Sequence, residues 1–123
     1  MRVGVIGYGY WGPNLVRNFA ETPGCEVAGV CDLEPKRLAL VRQRYPSLLT
    51  TTQTADLLGD PTVDAVAIAT SVSSHFELAM SALRAGKHVL VEKPLAATAD
   101  QAQRLVEEAD RCKRVLMVDH TFV

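Results

Sequence analysis

Residues 2–16 read RVGVIGYGYWGPNLV and join a short apolar run to a glycine-rich loop and then to a helical pattern. Arg2–Gly7 is predicted to form a strand, and Pro13–Glu21 is predicted to form the helix that follows it. The loop between them fits G-x-G-x-x-G, a pattern that becomes informative only between a strand and a helix. In that position, the N–H groups of the first helical turn and the helix dipole attract phosphate groups. The segment therefore predicts a dinucleotide-binding fold.

Each glycine of this loop has its own predicted role. Gly7 permits a tight turn, Gly9 lets the backbone approach a pyrophosphate without a Cβ in the way, and Gly12 lets the helix pack close to the strand. The aromatic residues Tyr10 and Trp11 lie within the same loop. They pack either over the cofactor or against a partner surface, and the sequence leaves both roles open.

An acidic residue follows at the spacing expected for a ribose contact. Asp32 stands twenty positions after Gly12, where a carboxylate accepts hydrogen bonds from the ribose diol of NAD. The alternative is a turn-forming aspartate or a cap of the helix that begins at Pro35. A 2′-phosphate beside this carboxylate would meet a repulsion of about 4 kcal/mol. NAD is therefore the expected cofactor and NADP is less favoured, although Lys36 or Arg37 could pair with a 2′-phosphate. Arg37 could instead lie over the adenine face.

Strand-like and helical patterns alternate along the rest of the chain. Ala65–Thr70 is apolar and partly β-branched, as is typical of a strand buried on both faces of a parallel sheet. Ser74, with Glu77 three residues later, is spaced as a capping box. We predict a doubly wound parallel α/β sheet of the Rossmann type, forming one three-layer domain over residues 1–123. The further strands are expected at Cys25–Asp32, Leu48–Thr51, His88–Glu92 and Val115–Val118, and the further helices at Pro35–Tyr45, Thr54–Leu58, Ser74–Ala85 and from Thr98 to Cys112.

Composition and charge exclude several classes of protein. Of the 123 residues, 48 % are hydrophobic and 22 % are charged, and the formal net charge is −1. This balance is typical of a globular domain and provides no basic surface for nucleic acid or an anionic membrane. No apolar run approaches the roughly 20 residues of a membrane helix. The cysteines Cys25, Cys31 and Cys112 form no C-x-x-C pair, which argues against a disulfide framework and favours a cytoplasmic location.

Two further segments stand at predicted strand ends. Residues 69–75 read ATSVSSH, and residues 82–94 read ALRAGKHVLVEKP. With the glycine loop, they resemble the N-terminal domain of the Gfo/Idh/MocA oxidoreductases, which carries A-T-P-x-x-x-H-like and A-L-x-A-G-K-H-V-x-x-E-K-P segments. The resemblance covers essentially the whole chain. Ser71 stands where the family usually has proline, and it is still expected near the cofactor.

The resemblance implies roles for the matching residues. Lys93 resembles the lysine placed beside the nicotinamide and the reacting substrate carbon. Glu92 resembles the residue that helps to hold the nicotinamide ribose, and Pro94 resembles a proline, commonly after a cis bond, that aims the lysine. Thr70 and His75 resemble cofactor-proximal positions in the loop after the fourth strand.

The position of Lys93 is also chemically suited to proton transfer. A lysine at the carboxyl end of a buried strand is expected to be partly desolvated, and desolvation and a nicotinamide cation both disfavour its charged form. The alternative is a solvated lysine before a turn proline. His120, after the last predicted strand, is a substrate-proximal candidate, whereas His88 is expected at a strand edge and Lys87 in solvent. Cys31 is expected to be a buried, inert thiol.

The resemblance implies an NAD-dependent dehydrogenase or oxidoreductase. The expected reaction transfers hydride between the nicotinamide and a hydroxyl or ketone carbon of a sugar, nucleotide-linked sugar or cyclitol, without a metal. Family members carry a second α/β domain with most substrate contacts and the oligomer interface. This chain has no counterpart, so we expect it to be inactive alone and the full-length enzyme to be a homo-oligomer. The alternatives are a freestanding NAD-binding or redox-sensing module and a Rossmann domain for another ligand, such as S-adenosylmethionine. The Glu92-Lys93-Pro94 segment argues against both.

Overall fold

The computed structural model of the chain describes residues 1–119, in which strands and helices alternate. The predicted order of elements is confirmed, with most boundaries within one or two residues of the expected positions. None of the described helices combines the length and apolar character needed to cross a membrane. The strands are β1 (Arg2–Ile6), β2 (Glu26–Cys31), β3 (Leu49–Thr51), β4 (Ala65–Ile68), β5 (His88–Glu92) and β6 (Leu116–Asp119), and the helices are α1 (Gly12–Glu21), α2 (Pro35–Arg44), α3 (Ala55–Leu58), α4 (Val72–Arg84) and α5 (Ala99–Cys112).

The strands of the described residues form one sheet in the order β3-β2-β1-β4-β5-β6, and every pair of neighbours is parallel. The chain starts in the middle of the sheet at β1, moves outward to β3, and returns to β4 on the other side of β1. The order of strands therefore reverses between β1 and β4, which is where open α/β sheets bind ligands. The predicted doubly wound parallel sheet is confirmed.

Helices cover both faces of this sheet. Val5 and Ile6 are neighbours in β1, and their side chains point to opposite faces. Val5 packs with the buried residues of α1 and α2, and Ile6 packs with those of α3, α4 and α5. The central strands are consequently buried on both sides, and Val5 and Val66 have no exposed surface. This burial explains why their sequences are apolar throughout rather than alternating.

Helix α4 begins earlier than the capping-box spacing predicts, and that prediction is wrong. The N-cap is Ser71, whose extended backbone precedes the first helical residue, Val72. Ser74 lies inside the first turn, where its hydroxyl donates to the Ser71 carbonyl oxygen at 2.8 Å instead of capping an amide. At the start of α5, Thr98 does accept a hydrogen bond from the Gln101 amide at 3.1 Å.

The amino edge of the sheet contains a buried charge that the sequence did not predict. Lys87 was expected in solvent, but it is only 5 % exposed, and its Nζ donates to the carbonyl oxygens of Asp60 and Val63 at 2.7 Å each. The turn before β4 directs these two carbonyls toward the start of β5, and the ammonium group satisfies both. His88 lies at the strand edge as predicted, and its Nδ1 accepts a hydrogen bond from the Val115 amide at 2.9 Å.

Candidate functional site

A cavity lies at the carboxyl edge of the sheet, between the ends of β1, β2 and β4. Its volume is about 700 Å³. The glycine loop after β1, the turn after β2 and the loop after β4 form its walls, at the point where the strand order reverses. The lining residues are Ile6, Gly7, Gly9, Tyr10, Trp11, Cys31, Asp32, Leu33, Glu34, Arg37, Thr54, Ala69, Thr70, Ser71, Ser74, Glu77 and Leu78.

Most of the predicted cofactor-binding residues line this cavity. They are Gly7, Gly9, Tyr10, Trp11, Asp32, Arg37, Thr70 and Ser71. Sequence reasoning missed Leu33 and Glu34, which could have been found as neighbours of Asp32. It also missed Thr54, Glu77 and Leu78, which have no such signal because only the packing of α3 and α4 brings them to the cavity. His120 lies outside the described residues, so its role stays a prediction.

The glycine loop is compact because two of its glycines lie against backbone atoms. Gly7 has a φ of +100°, and a Cβ built there would lie 2.7 Å from the Ala69 carbonyl oxygen. A Cβ on Gly12 would lie 2.2 Å from the Gly7 carbonyl oxygen. Side chains at either position would therefore force the loop to move. The predicted tight turn at Gly7 and close helix packing at Gly12 are both confirmed.

The first turn of α1 has the features of an anion-binding helix start. Its N-cap, Trp11, makes no side-chain capping hydrogen bond in the described part of the chain, and its first turn holds no acidic side chain. Pro13 lies in that turn, where a missing N–H is harmless. The free helix start and its dipole therefore favour a phosphate group.

Asp32 fastens two walls of the cavity together. One of its carboxylate oxygens accepts a hydrogen bond from the Tyr8 amide at 2.7 Å, and the other accepts one from the Glu34 amide at 2.8 Å. The side chain is 4 % exposed. Glu34 is the N-cap of α2, so the alternative that Asp32 caps this helix is wrong. Asp32 is both a turn-forming residue and a cavity residue. Each carboxylate oxygen can accept more than one hydrogen bond, so its two backbone bonds leave acceptor capacity on the cavity side.

Arg37 extends from α2 across the glycine loop. Its guanidinium lies 3.5 Å from the Asp32 carboxylate and is half exposed. A Cβ on Gly9 would lie 3.4 Å from the same guanidinium. Arg37 therefore covers the glycine loop and reduces the negative charge around Asp32.

Hydroxyl groups order the loop after β4. The Thr70 and Ser74 hydroxyl oxygens lie 2.6 Å apart, and Ser74 donates to the Ser71 carbonyl oxygen. Because that donation uses the Ser74 proton, Thr70 is the donor to Ser74. His75 does not line the cavity: it is 1 % exposed, and its ring lies behind this loop.

The end of β5 continues the same edge of the sheet. β5 pairs with β4 so that Val91 lies opposite Ile68, which brings the segment after Glu92 beside the loop that contains Thr70. Glu92 is 9 % exposed, and the Lys93–Pro94 peptide bond is cis. Lys93 is exposed, so its expected desolvation is not found. The reason is that it follows the last strand residue into an exposed turn.

Cys31 is a buried cavity residue. Burial is the main reason why its pKa is raised to about 11, and the charges of Asp32 and Asp56 act in the same direction. The thiol therefore stays protonated at neutral pH, which supports the prediction that it is inert.

At the rim, Tyr10 and Trp11 form a T-shaped pair with ring centroids 4.9 Å apart, and Tyr10 is 82 % exposed.

Within residues 1–119, no group of His, Cys, Asp and Glu side chains is arranged to hold a metal ion. The site instead combines a strand-order reversal, a glycine loop at a free helix start and a carboxylate at the end of the second strand. These features define a dinucleotide-binding domain of the Rossmann class. The model of the Gfo/Idh/MocA oxidoreductase family, NAD-binding Rossmann fold, matches residues 1–120. The chain belongs to this family, as its motifs predicted.

Several relatives resemble this chain over nearly its whole length. Inositol 2-dehydrogenase of Salmonella typhimurium (strain LT2) is 35 % identical over 121 residues, which cover 96 % of this chain and 36 % of the relative. An oxidoreductase from Agrobacterium radiobacter, solved with NAD⁺, L-tartaric acid and magnesium, has a TM-score of 0.93 at 30 % identity, covering 99 % of this chain and 36 % of that one.

Structural relatives include complexes with both nicotinamide cofactors. Biliverdin reductase from Synechocystis sp. PCC 6803, solved with biliverdin and NADP⁺, has a TM-score of 0.91 at 29 % identity, covering 97 % of this chain and 37 % of that one. The chain is thus an NAD(P)-binding domain by family. It spans about a third of the length of the curated relatives that it matches.

Proposed function

We propose that this chain is the cofactor-binding part of an NAD-dependent oxidoreductase that transfers hydride between nicotinamide and a hydroxyl-bearing carbon of a sugar or cyclitol. The observation that carries this proposal is the order of groups along one sheet edge. Asp32 follows β2, the glycine loop follows β1, Thr70 follows β4 and Lys93 follows β5. From β2 to β5 is three strand spacings, or about 14 Å. An extended dinucleotide therefore has its adenosine end at Asp32 and its nicotinamide end toward Lys93.

The glycine loop fits the pyrophosphate of such a ligand. In the space that a Cβ on Gly9 would enter, the nearest atoms belong to the flexible end of Arg37. A phosphate can therefore approach the backbone at Gly9 once the Arg37 guanidinium moves aside. The free start of α1 supplies N–H donors and a favourable dipole for its negative charge.

The choice of NAD over NADP rests on Asp32 and Arg37. The Asp32 carboxylate is nearly buried, and it retains acceptor capacity for a ribose diol beyond its two backbone hydrogen bonds. A 2′-phosphate would be repelled there, but the Arg37 guanidinium at 3.5 Å offsets part of that repulsion. We therefore propose a preference for NAD of at least tenfold, or about 1.4 kcal/mol, rather than absolute exclusion of NADP.

Lys93 is the proposed catalytic residue. NAD supplies the hydride donor or acceptor at nicotinamide C4 when it is bound. In the proposed reaction Lys93, which is exposed just after β5, holds or moves the proton of the substrate hydroxyl. Glu92, buried at the last position of the strand, is proposed to hold the nicotinamide ribose. A polyol substrate is proposed because inositol 2-dehydrogenase is among the relatives.

Calorimetric titration of the chain with NADH, NADPH and S-adenosylmethionine tests the cofactor assignment. We expect NADH to bind most tightly and S-adenosylmethionine not to bind. Binding of S-adenosylmethionine alone would contradict the proposal. Hydride transfer to a panel of sugars and cyclitols is then measured on the full-length protein by the absorbance of NADH. Cofactor binding without turnover of any substrate would instead favour the freestanding binding or redox-sensing module.

Two substitutions separate the contributions at the adenosine end. Asp32→Asn removes the charge but keeps an acceptor oxygen, so it should narrow the gap between NADH and NADPH affinities. Arg37→Gln should widen the gap, because the partner of a 2′-phosphate is lost. Asp110→Asn, on the exposed face of α5, is the matched control and should change neither affinity. If the Asp32 and Asp110 variants change the difference between NADH and NADPH affinities equally, Asp32 does not discriminate between the two riboses.

A further inference from the structure

His75 makes two contacts that the cofactor assignment does not explain. It lies in α4, is 1 % exposed, and is absent from the cavity lining. Its Nδ1 is 2.8 Å from the Pro94 carbonyl oxygen, and its Nε2 is 3.0 Å from the Thr70 carbonyl oxygen. A nearly buried imidazole therefore contacts the backbone carbonyls of two different loops.

These two loops are the ones that form the nicotinamide half of the proposed site. Thr70 lines the cavity after β4, and Pro94 directly follows the proposed catalytic Lys93 after β5. α4, which carries His75, is fixed to the core by Ala79 and Leu83, neither of which has any exposed surface. The imidazole is thus attached to a rigid element and reaches the two loops from behind.

Resting on the proposed function, we propose that His75 is a positioning residue for Lys93 rather than a cofactor ligand. In this arrangement, Nδ1–H donates to the Pro94 carbonyl oxygen and fixes the turn in which Lys93 stands. The other ring nitrogen, Nε2, lies 3.0 Å from the Thr70 carbonyl oxygen, so the same ring also packs against the Thr70 loop. A displacement of about 1 Å at a reacting group can lower the rate about a hundredfold, so such a link has a large effect on turnover and a small one on cofactor affinity.

Two amide substitutions distinguish the two contacts of the ring. The side-chain nitrogen of asparagine can occupy the place of Nδ1, and that of glutamine the place of Nε2. His75→Asn therefore keeps a donor toward Pro94, His75→Gln keeps one toward Thr70, and His75→Leu keeps neither. A role in stability alone predicts that the rate of each variant follows its free energy of unfolding.

Single-turnover hydride transfer in the full-length protein and NADH titration of the 123-residue chain are measured for all three variants. We expect His75→Leu and His75→Gln to lower the hydride-transfer rate about a hundredfold with little change in NADH affinity, and His75→Asn to retain most of the rate. A glutamine variant as fast as the asparagine variant, or rates that merely follow stability, would overturn the proposal.

The nitrogen spectrum of the ring gives a test that is independent of turnover. Long-range ¹H–¹⁵N spectra of the histidine-labelled chain should show a proton on Nδ1 of His75, and an unprotonated Nδ1 would overturn the proposal. If the full-length wild-type protein transfers no hydride to any substrate, the proposed function fails. The ring spectrum then still decides whether His75 donates to the Pro94 carbonyl oxygen.

Discussion

A lysine flanks each end of β5, and the two lysines lie in opposite environments. Lys87 precedes the strand at the amino edge, is 5 % exposed, and gives its ammonium protons to two backbone carbonyls. Lys93 follows the strand at the carboxyl edge and is exposed beside the loops of the cavity. One sheet edge uses its charge to satisfy buried backbone, while the other presents its charge to the side where a ligand binds. Within one short segment, one lysine is buried among backbone carbonyls and the other lies at the surface.

The same division extends to the helix ends. At the amino edge, Glu108 near the end of α5 pairs with Arg84 at the end of α4 and with Arg111, so the helices are linked through charged side chains. At the carboxyl edge, the start of α1 has neither a side-chain cap nor an acidic residue in its first turn. A helix end without such partners is suited to an anionic ligand.

The largest expected effect comes from Lys93→Met in the full-length protein. Hydride transfer should fall by about 10²–10⁴-fold, because the variant lacks the proton-transfer group, while NADH affinity stays unchanged. Stopped-flow absorbance and NADH titration measure the two quantities. A wild-type rate in this variant would remove Lys93 from the catalytic role. Lost NADH binding with an unaltered hydride step would reassign it to holding the cofactor.

The matching substitution at the other end of the strand is Lys87→Met. It leaves the buried carbonyl oxygens of Asp60 and Val63 without their donor, so the free energy of unfolding should fall by about 1–3 kcal/mol. NADH affinity should not change. Urea unfolding monitored by circular dichroism measures the loss. Lys36→Met, at an exposed position of α2, is the control for a lost positive charge and should change stability by about 0.5 kcal/mol or less.

Two glycines extend the comparison with a smaller effect. Gly9→Ala should weaken NADH binding about tenfold, or about 1.4 kcal/mol, because its methyl group stands where the pyrophosphate approaches. The fold should be retained, since the neighbouring Arg37 guanidinium can move. Gly86→Ala should leave NADH binding unchanged and lower the free energy of unfolding by about 1 kcal/mol. Gly86 has a φ of +83° at the end of α4, a conformation that is unfavourable for alanine. Tight NADH binding by Gly9→Ala would contradict the phosphate-loop assignment.

The smallest effect concerns the acid stability of the amino edge. Hydrogen bonding from Arg111 is the main reason why the pKa of Glu108 is lowered from 4.5 to about 2. A carboxylate with a lowered folded-state pKa contributes stability above its unfolded pKa, and that stability is lost as the pH falls from about 4.5 to about 2. Wild type should therefore lose more unfolding free energy than Glu108→Gln over this range. Parallel urea titrations at pH 6, 4 and 3 give the free energy of unfolding at each pH. The same pH dependence in both proteins would contradict the prediction.

The strand at residues 2–6 and the glycines at 7 and 12 were readable from the sequence because each depends on local geometry, and the acid at 32 was readable because it stands twenty positions after Gly12. A period of apolar residues and a tight turn are decided by atoms within a few positions of one another. The start of α4 was predicted wrongly because Ser74 bonds to the Ser71 carbonyl oxygen, a choice between two local hydrogen bonds that spacing does not reveal. The site of Lys87 was missed because its two acceptors lie at least 24 positions away in the sequence.

The sequence by itself determined the order of elements, the glycine loop and the family of this protein. Short motifs indicate these features, because the residue types in each motif usually serve one particular backbone geometry. The tertiary structure alone decided that His75 lies behind two loops, that Arg37 covers the glycine loop, and that Lys87 and Lys93 face opposite environments. The physical reason is that burial and hydrogen-bond partners depend on which distant backbone atoms the packed sheet and helices bring beside a side chain.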